Sequence, residues 1–330
     1  MKAFQYVDAR SIDAAIQALP ADASMDDYGR KVMLKAGGID LLDQMKERMI
    51  EPDTLVNMKP TEEALRYIRA EGAAIHIGPL TKMAELAGSA LVRERYPALA
   101  DAAGHAATPQ IRAVATVGGN ICQRPRCWYF RNAEFNCLKK GGDVCFAKEG
   151  ENQYHAIFGD GPSFIVHPSN IAGALMAAGA EFVVRGRDGE RTVRAEDFFV
   201  RPEQNVMVEN VLKADEILSE IRVPGGIRAS AHYEIREKQS YDWPLVAATA
   251  AQNEAGWQIV LGAVAPIPWR ARAAEAALGN RAMTAALANQ AAERAIAGAA
   301  PLRYNRYKLD LVKVAVRRAL LEAAGMEATA

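Results

Sequence analysis

All the cysteines of this 330-residue chain fall within 24 positions: Cys122, Cys127, Cys137 and Cys145, spaced C-x4-C-x9-C-x7-C. Cysteines kept as small core hydrophobes would scatter, so a set this tight points to shared chemistry. Three chemistries compete. Four thiolates can close a tetrahedral zinc site, but structural zinc modules bring ligands in as C-x2–4-C pairs, and only the first pair here comes near. Two disulfides would need an oxidising compartment. The stretch MKAFQYVDARSIDAAIQALP has neither the apolar segment of a secretory signal nor a twin arginine, so a cytoplasmic location with reduced thiols is expected. A [4Fe–4S] cluster takes one thiolate per iron and tolerates looser spacing. The intervening residues favour this third reading. Trp128, Tyr129, Phe130 and Phe135 would limit solvent access, and Arg124, Arg126, Arg131, Lys139 and Lys140 would offset the charge of a thiolate-ligated cluster.

Two glycine pairs form the second candidate site. Leu34-Lys-Ala-Gly37-Gly38-Ile-Asp-Leu41 places residues without Cβ between a strand pattern and a helix start, where free N–H groups can meet an anion. Thr116-Val117-Gly118-Gly119-Asn120 offers a second such loop directly before the first cysteine. Either pair alone is more often a turn. Together they could clamp one pyrophosphate, and a valine at Gly118 is expected to clash with it. Neither pair lies in a G-x-G-x-x-G or Walker loop. No Ser-His-Asp or Cys-His arrangement stands out among the five scattered histidines.

The elements that must hold these residues read as alternating strands and helices. Ser11 caps an amphipathic helix that stops at Pro20, residues 31–36 form a short strand, Leu41, Leu42, Met45 and Met49 have helical spacing, and residues 54–58 form a further strand. Residues 74–77 read as a strand with Thr81 as the next N-cap, and residues 170–180 as a helix. The stretches 181–185 and 191–194 flank an Arg-Asp-Gly hairpin turn. A strand at 217–223 ends at Pro224-Gly-Gly, the clearest boundary. Beyond it come strands near 232–236, 246–252 and 257–264, and helices near 282–298 and 307–324. This is an α+β chain of at least two lobes.

LKAGGIDLL at 34–42, TPQIRAVATVGGNI at 108–121 and HPSNIAGALMAAGAEF at 167–182, in this order, resemble the FAD-binding medium subunit of the molybdenum hydroxylase family. That family includes xanthine dehydrogenases, aldehyde oxidoreductases, carbon monoxide dehydrogenases and hydroxybenzoyl-CoA reductases. The four-cysteine segment after GGNI resembles the branch with an extra [4Fe–4S] cluster. The resemblance implies a vanillyl-alcohol-oxidase-like FAD fold: a small lobe at 1–59, a larger lobe at 60–224 with the iron–sulfur insertion at about 121–160, and a C-terminal α+β domain at 225–330 like that of CO dehydrogenase flavoproteins. It also implies that Leu34, Lys35, Ala36, Gly37, Gly38, Ile39, Asp40 and Leu41 wrap the FAD pyrophosphate. Thr108 would lie near the flavin, Thr116, Val117, Gly118, Gly119 and Asn120 at the phosphate and ribose, and Leu218 at the isoalloxazine. Asn170 stands where many relatives have Asp. Lys238, or Arg236, would replace a lysine that relatives place after the domain boundary.

On this resemblance the chain is a relay without a substrate-oxidising site. A large molybdenum-cofactor partner would oxidise an aldehyde, purine or similar substrate. A small [2Fe–2S] partner would pass electrons singly to FAD, which hands them to an external acceptor. The complex would be a heterotrimer or its dimer, and the extra cluster largely structural or auxiliary. A stand-alone flavin oxidoreductase and a non-redox scaffold built on a zinc site are the rivals. Composition is that of an ordinary globular chain. Half the residues are hydrophobic, and Lys+Arg 40 balance Asp+Glu 40, so nothing pulls the chain toward nucleic acid or anionic membrane. No apolar run approaches the roughly 18–20 residues of a membrane span. A folded subunit can still be exported attached to a signal-bearing partner.

Overall fold

The computed structural model describes residues 1–21, 31–279 and 281–327. Four-residue strands open the chain: β1 (Gln5–Asp8), β2 (Val32–Lys35) and β3 (Thr54–Asn57) form an all-parallel sheet in the order β1-β3-β2. Strand alternation sends Val56, Val32 and Leu34 to one face, where Ala15 and Ile16 of the helix Ile12–Ala18 and its C-cap Leu19 cover them. Leu55 and Met33 go to the other face, against Leu41 and Met45 of the helix Ile39–Lys46. The Ser11 hydroxyl accepts from the Ala14 N–H (3.0 Å), as expected of the cap. The fully exposed strand β1 leaves no alternation to read in sequence.

The second sheet is antiparallel. Strands β4 (Ile68–Glu71), β5 (Ala74–Ile77), β6 (Glu181–Gly186), β7 (Gly189–Arg194) and β8 (Ile217–Val223) lie in the order β4-β5-β8-β6-β7. The predicted hairpin is β6–β7, with Gly186 opposite Gly189 across the turn. Thr81 does not cap the next helix, which spans Met83–Gly88 and has Lys82 at its N-cap. The Thr81 hydroxyl instead donates to the Tyr67 carbonyl and accepts the Tyr67 N–H, joining β4 to the turn after β5.

The third sheet has β9 (Ala229–Ile235), β10 (Val246–Asn253), β11 (Gly256–Gly262) and β12 (Trp269–Arg270) in the order β12-β11-β10-β9, all antiparallel. The helix Lys308–Ala323 packs on β9 and β10. On the other side the wholly buried helix Ala172–Ala177 lies against β10 and β11 and reaches the helix Pro97–His105. Its carbonyl at Ala174 accepts the hydroxyl of the fully buried Tyr96 (2.5 Å).

Between residues 122 and 171 the only regular element is the single turn Leu138–Lys140. This segment is nonetheless anchored, because Ile157 and His167 donate to Val264 and Ala265 (both 2.8 Å), and Ala300 donates to Ile157 (2.7 Å). Among the described residues no helix is long and apolar enough to cross a membrane.

Candidate functional site

The loop after β2, the segment 106–126 and the loop joining β9 to β10 enclose a cleft of about 430 Å³. Leu34, residues 36–41, Thr108, Thr116, residues 118–120, Asn170 and Leu218 line it. Three expected cofactor residues stand outside the lining. Lys35 alternates away from Leu34 and lays its ammonium 5.7 Å from the Tyr6 ring centre. The Val117 side chain is buried in the core of the second sheet. Lys238 gives its N–H to the Asp242 carboxylate (3.2 Å), while Tyr241, Asp242 and Trp243 of the same loop reach the cleft. Tyr241 and Trp243 are 60% and 50% exposed, so they form a half-open aromatic rim, with the Arg126 guanidinium 5.5 Å from the Trp243 ring centre. Two aromatics in a polar turn were the sequence signal for this rim. Arg112 also lines the cleft, and it donates to the carbonyls of Ala106 and Ala107 (2.8 and 2.7 Å).

The two glycine loops turn out to do different work. Gly38 sits in the left-handed region (φ +79) at the start of the helix Ile39–Lys46, and no side chain caps it. Among the described residues nothing accepts the N–H groups of Gly37, Gly38 and Ile39, so three donors stand at the cleft wall. In the second loop the N–H groups of residues 117–120 are all spent. Val117 donates to Thr81 (2.8 Å), Gly118 to Pro79 (2.9 Å), Gly119 to the Thr116 hydroxyl (3.1 Å) and Asn120 to the Thr116 carbonyl (2.8 Å). The expectation of free N–H groups there is corrected, since helix capping and strand-like pairing consume them. The valine argument changes as well. A Cβ at Gly118 would lie 3.0–3.1 Å from Pro79, and one at Gly37 would lie 2.4 Å from the Val114 carbonyl oxygen. These glycines let chain approach chain.

Asn170 gives its side-chain N–H to Glu234 Oε1 (3.1 Å). Glu234 also accepts from His232 Nε2 (3.0 Å) and from the Arg236 guanidinium. Burial alone would raise the Glu234 pKa, but the His232 hydrogen bond and the charges of His232 and Arg236 hold it down at about 2. An aspartate at 170 would face this carboxylate with like charge, so an amide donor suits the position. The ligand atoms of His105, His232 and Glu234 lie within 4.8 Å of one another. Arg236, bonded to Glu234 and to the His105 carbonyl, already supplies the cation there.

No cysteine is in a disulfide. Cys127 and Cys137 share a small apolar cluster with Met49, Phe130 and Phe146. Cys145 follows Val144, which bridges to Cys137. Burial pushes the Cys127 thiol up to about 12, against partial relief from the N–H groups of Phe130 and Tyr129, and raises Cys137 as well. Cys122 lies elsewhere, at the end of the helix Val117–Ile121, packed on the second-sheet core with a face on the cleft. Among the described residues no three cysteine sulfurs come within 4.8 Å of one another, whereas tetrahedral zinc, with Zn–S near 2.3 Å, holds sulfurs about 3.8 Å apart.

The basic residues expected to offset a cluster are mostly engaged with carboxylates. Arg126 and Arg131 both pair with Asp40 (3.0 and 2.6 Å) and Asp43 (3.1 and 3.2 Å). Arg124 and Lys139 pair with the buried Glu209 (2.6 and 2.7 Å). Lys140, whose ammonium donates to the Asn132 carbonyl (2.5 Å), is electrostatically coupled to Cys137 and Cys127, and Lys139 to Cys137. Asp40 also accepts from the Arg124 N–H (2.9 Å), so it fastens the first glycine loop to the cysteine segment.

A cleft lined by unpaired backbone donors and by apolar side chains suits a bound dinucleotide. Residues 2–226 match the FAD binding domain in molybdopterin dehydrogenase, and residues 231–323 match the CO dehydrogenase flavoprotein C-terminal domain. The chain belongs to the FAD-binding subunits of the molybdenum hydroxylase family, and it is an oxidoreductase subunit that does not carry the molybdenum site. It is 31% identical to the aldehyde oxidoreductase FAD-binding subunit PaoB of Escherichia coli (strain K12), over 98% of this chain and 99% of that one. It is 29% identical to the carbon monoxide dehydrogenase medium chain of Hydrogenophaga pseudoflava, over 84% of this chain and 81% of that one. The structure of carbon monoxide dehydrogenase from Hydrogenophaga pseudoflava lacking the Mo-pyranopterin moiety superposes with a TM-score of 0.74 at 29% identity, covering 98% of both chains. Quinoline 2-oxidoreductase from Pseudomonas putida 86, at 21% identity and a TM-score of 0.74, shares the fold.

Proposed function

We propose that this chain is the FAD- and [4Fe–4S]-containing electron-transfer subunit of a heteromeric molybdenum-dependent oxidoreductase of the aldehyde oxidoreductase type. The observation that carries the reading is the cleft: Gly37, Gly38 and Ile39, whose N–H groups have no acceptor among the described residues, and the apolar Leu218 all line it. A flavin dinucleotide fits this donor set, because its diphosphate needs N–H groups unobstructed by side chains and its ring needs an apolar seat. When bound, FAD accepts electrons singly and releases them as a pair.

The residues of the chain supply position. The amides of 37–39 would hold the diphosphate, and Asp40 keeps their loop against the cysteine segment through Arg126 and Arg131. Thr116 caps the opposite wall, Asn170 is aimed by Glu234, and the Tyr241–Trp243 rim limits water at the mouth. The cysteines Cys122, Cys127, Cys137 and Cys145 would supply the thiolates of an iron–sulfur cluster with an auxiliary or structural role, with Cys127 and Cys137 packed against Phe130 and Phe146. The domains divide as 1–59, 60–224 and 225–330. Partners are a large molybdenum-cofactor subunit and a small [2Fe–2S] subunit, electrons leave to an external acceptor, and the complex works in the cytoplasm.

Anaerobic purification with co-purifying subunits tests this. A double-humped flavin spectrum and a broad shoulder bleached by dithionite are expected, together with two partner chains. A colourless, folded preparation overturns the FAD reading. A yellow protein isolated alone, without partners, overturns the relay.

A further inference from the structure

We infer that a second cavity, beside the cofactor cleft, binds an uncharged carbonyl-bearing aromatic of one or two rings, such as a quinone. It measures about 280 Å³ and is walled by residues 126–128, 154–155 and 166–170 and by the strands β9, β10 and β11. Arg126, Asn170, Asp242 and Trp243 line both this cavity and the cleft. Tyr154 and Trp243 in its lining are exposed, so it can be entered from solvent.

Size, charge and one orphaned donor define the ligand. The volume takes one or two fused rings and is too small for a dinucleotide. Trp128, Val166, Pro168, Leu245 and Val260 make the walls aromatic and apolar. Three carboxylates, Glu234, Glu237 and Asp242, stand against one guanidinium, Arg126, which is already paired with Asp40 and Asp43. That balance repels an anion. His167 supplies the polar contact. Its Nδ1 accepts the Ser169 N–H (3.3 Å), so the neutral ring carries its proton on Nε2, and that N–H is buried without an acceptor. Burial keeps the ring neutral, with its pKa pushed down to about 3. A ligand carbonyl oxygen is the partner this donor lacks. The site stands on these residues alone, whereas its use by the external acceptor rests on the flavin reading above. In that use the quinone takes the electron pair given up by the neighbouring cofactor, which is thereby reoxidised. With two protons from water it leaves as the hydroquinone.

The test is titration of the full chain with duroquinone, whose fully substituted ring does not add thiols, followed by tryptophan fluorescence and calorimetry. Saturable one-to-one binding is expected, with and without FAD in the cleft. Durene, the same ring without carbonyls, should bind roughly 2- to 12-fold more weakly, the worth of one hydrogen bond. That preference should vanish in His167→Leu, a comparison made within one variant and so independent of its stability. Tetramethylbenzoate, the same ring with a negative charge, should not bind. Gly173→Ala adds a methyl to the lining at 3.7 Å from Val260 and 3.8 Å from Thr249, ordinary contacts that leave the fold intact, and it should weaken duroquinone. No saturable binding to the wild type, displacement by FAD, tight binding of tetramethylbenzoate or an unchanged durene preference in His167→Leu each overturns the site. In the flavin-loaded complex the duroquinone KM should rise in Gly173→Ala in step with Kd; a KM that does not follow overturns the acceptor role alone.

Discussion

Replacing Gly37 by alanine tests the cleft most directly. The added Cβ would sit 2.4 Å from the Val114 carbonyl oxygen, 3.2 Å from its carbon and 3.3 Å from the Ala115 Cα. All three are backbone atoms, so no side chain can swing aside. Real Cβ contacts essentially never fall under 3.0 Å, so the two segments must part by about 0.6 Å. Ala115 resists, because its carbonyl accepts the Met83 N–H (2.9 Å). Overpacking of this kind costs about 1–3 kcal/mol. The apoprotein can release much of that strain by opening the cleft, and bound FAD would have to close it again. The cost therefore appears in affinity, as a Kd weakened roughly 5- to 150-fold. Deflavinated protein titrated with FAD by fluorescence measures it. The melting temperature should also gain less from added FAD than in the wild type. Gly88→Ala, which meets no atom within 4 Å, is the control and should bind normally. Unchanged FAD affinity and melting temperature in Gly37→Ala would refute the argument that this close approach shapes the cleft.

Three further outcomes follow from the same contacts. Asp40→Ala removes the acceptor shared by the Arg124 N–H, Arg126 and Arg131; it should cost about 2 kcal/mol in urea unfolding, with Asp43 retaining part of the network, and speed proteolysis within 122–136. Thr116→Ala strips the cap from Gly119 N–H and should cost about 1 kcal/mol, while Thr116→Ser restores it; equal midpoints for all three would deny the cap any role. His167 is pushed down to about 3 by burial, with the Lys139 charge adding to the effect. It stays neutral in the folded chain at pH values where the unfolded chain, with a pKa near 6.5, takes up a proton. Stability from this group is complete above about pH 6.5 and falls as pH drops toward 3, by up to about 1.36 kcal/mol per pH unit. His167→Gln should remove that slope, so the wild-type and variant unfolding curves converge or cross between pH 7 and 5. Curves that stay parallel would count against a buried neutral imidazole.

Local pattern carried much of the fold. The Ser11 cap, the strand at 54–58, the β6–β7 hairpin and the strands on either side of Asn253–Gly256 lie within a few residues of the signals that announce them. Thr81 marks the limit of that reading. Its hydroxyl serves the half-buried backbone of Tyr67, fourteen residues earlier and just before β4, as both donor and acceptor. The glycine loops mark another limit, since a Gly-Gly pair looks alike whether its N–H groups are free or already taken by Pro79 and Thr81.

By itself the sequence determined the family, the crowding of four cysteines into one segment and the residues that could wall a dinucleotide cleft. Composition, spacing and short-range periodicity are written along the chain. Only the tertiary structure decided that Cys127 and Cys137 share an apolar cluster while Cys122 lines the cleft, that His155 reaches Cys127 across 28 residues, and that the arginines expected near a cluster answer to Asp40, Asp43 and Glu209. Those pairings join segments far apart in sequence. They are selected by which buried charge and which thiol the folded backbone brings within reach, and spacing along a chain does not record that.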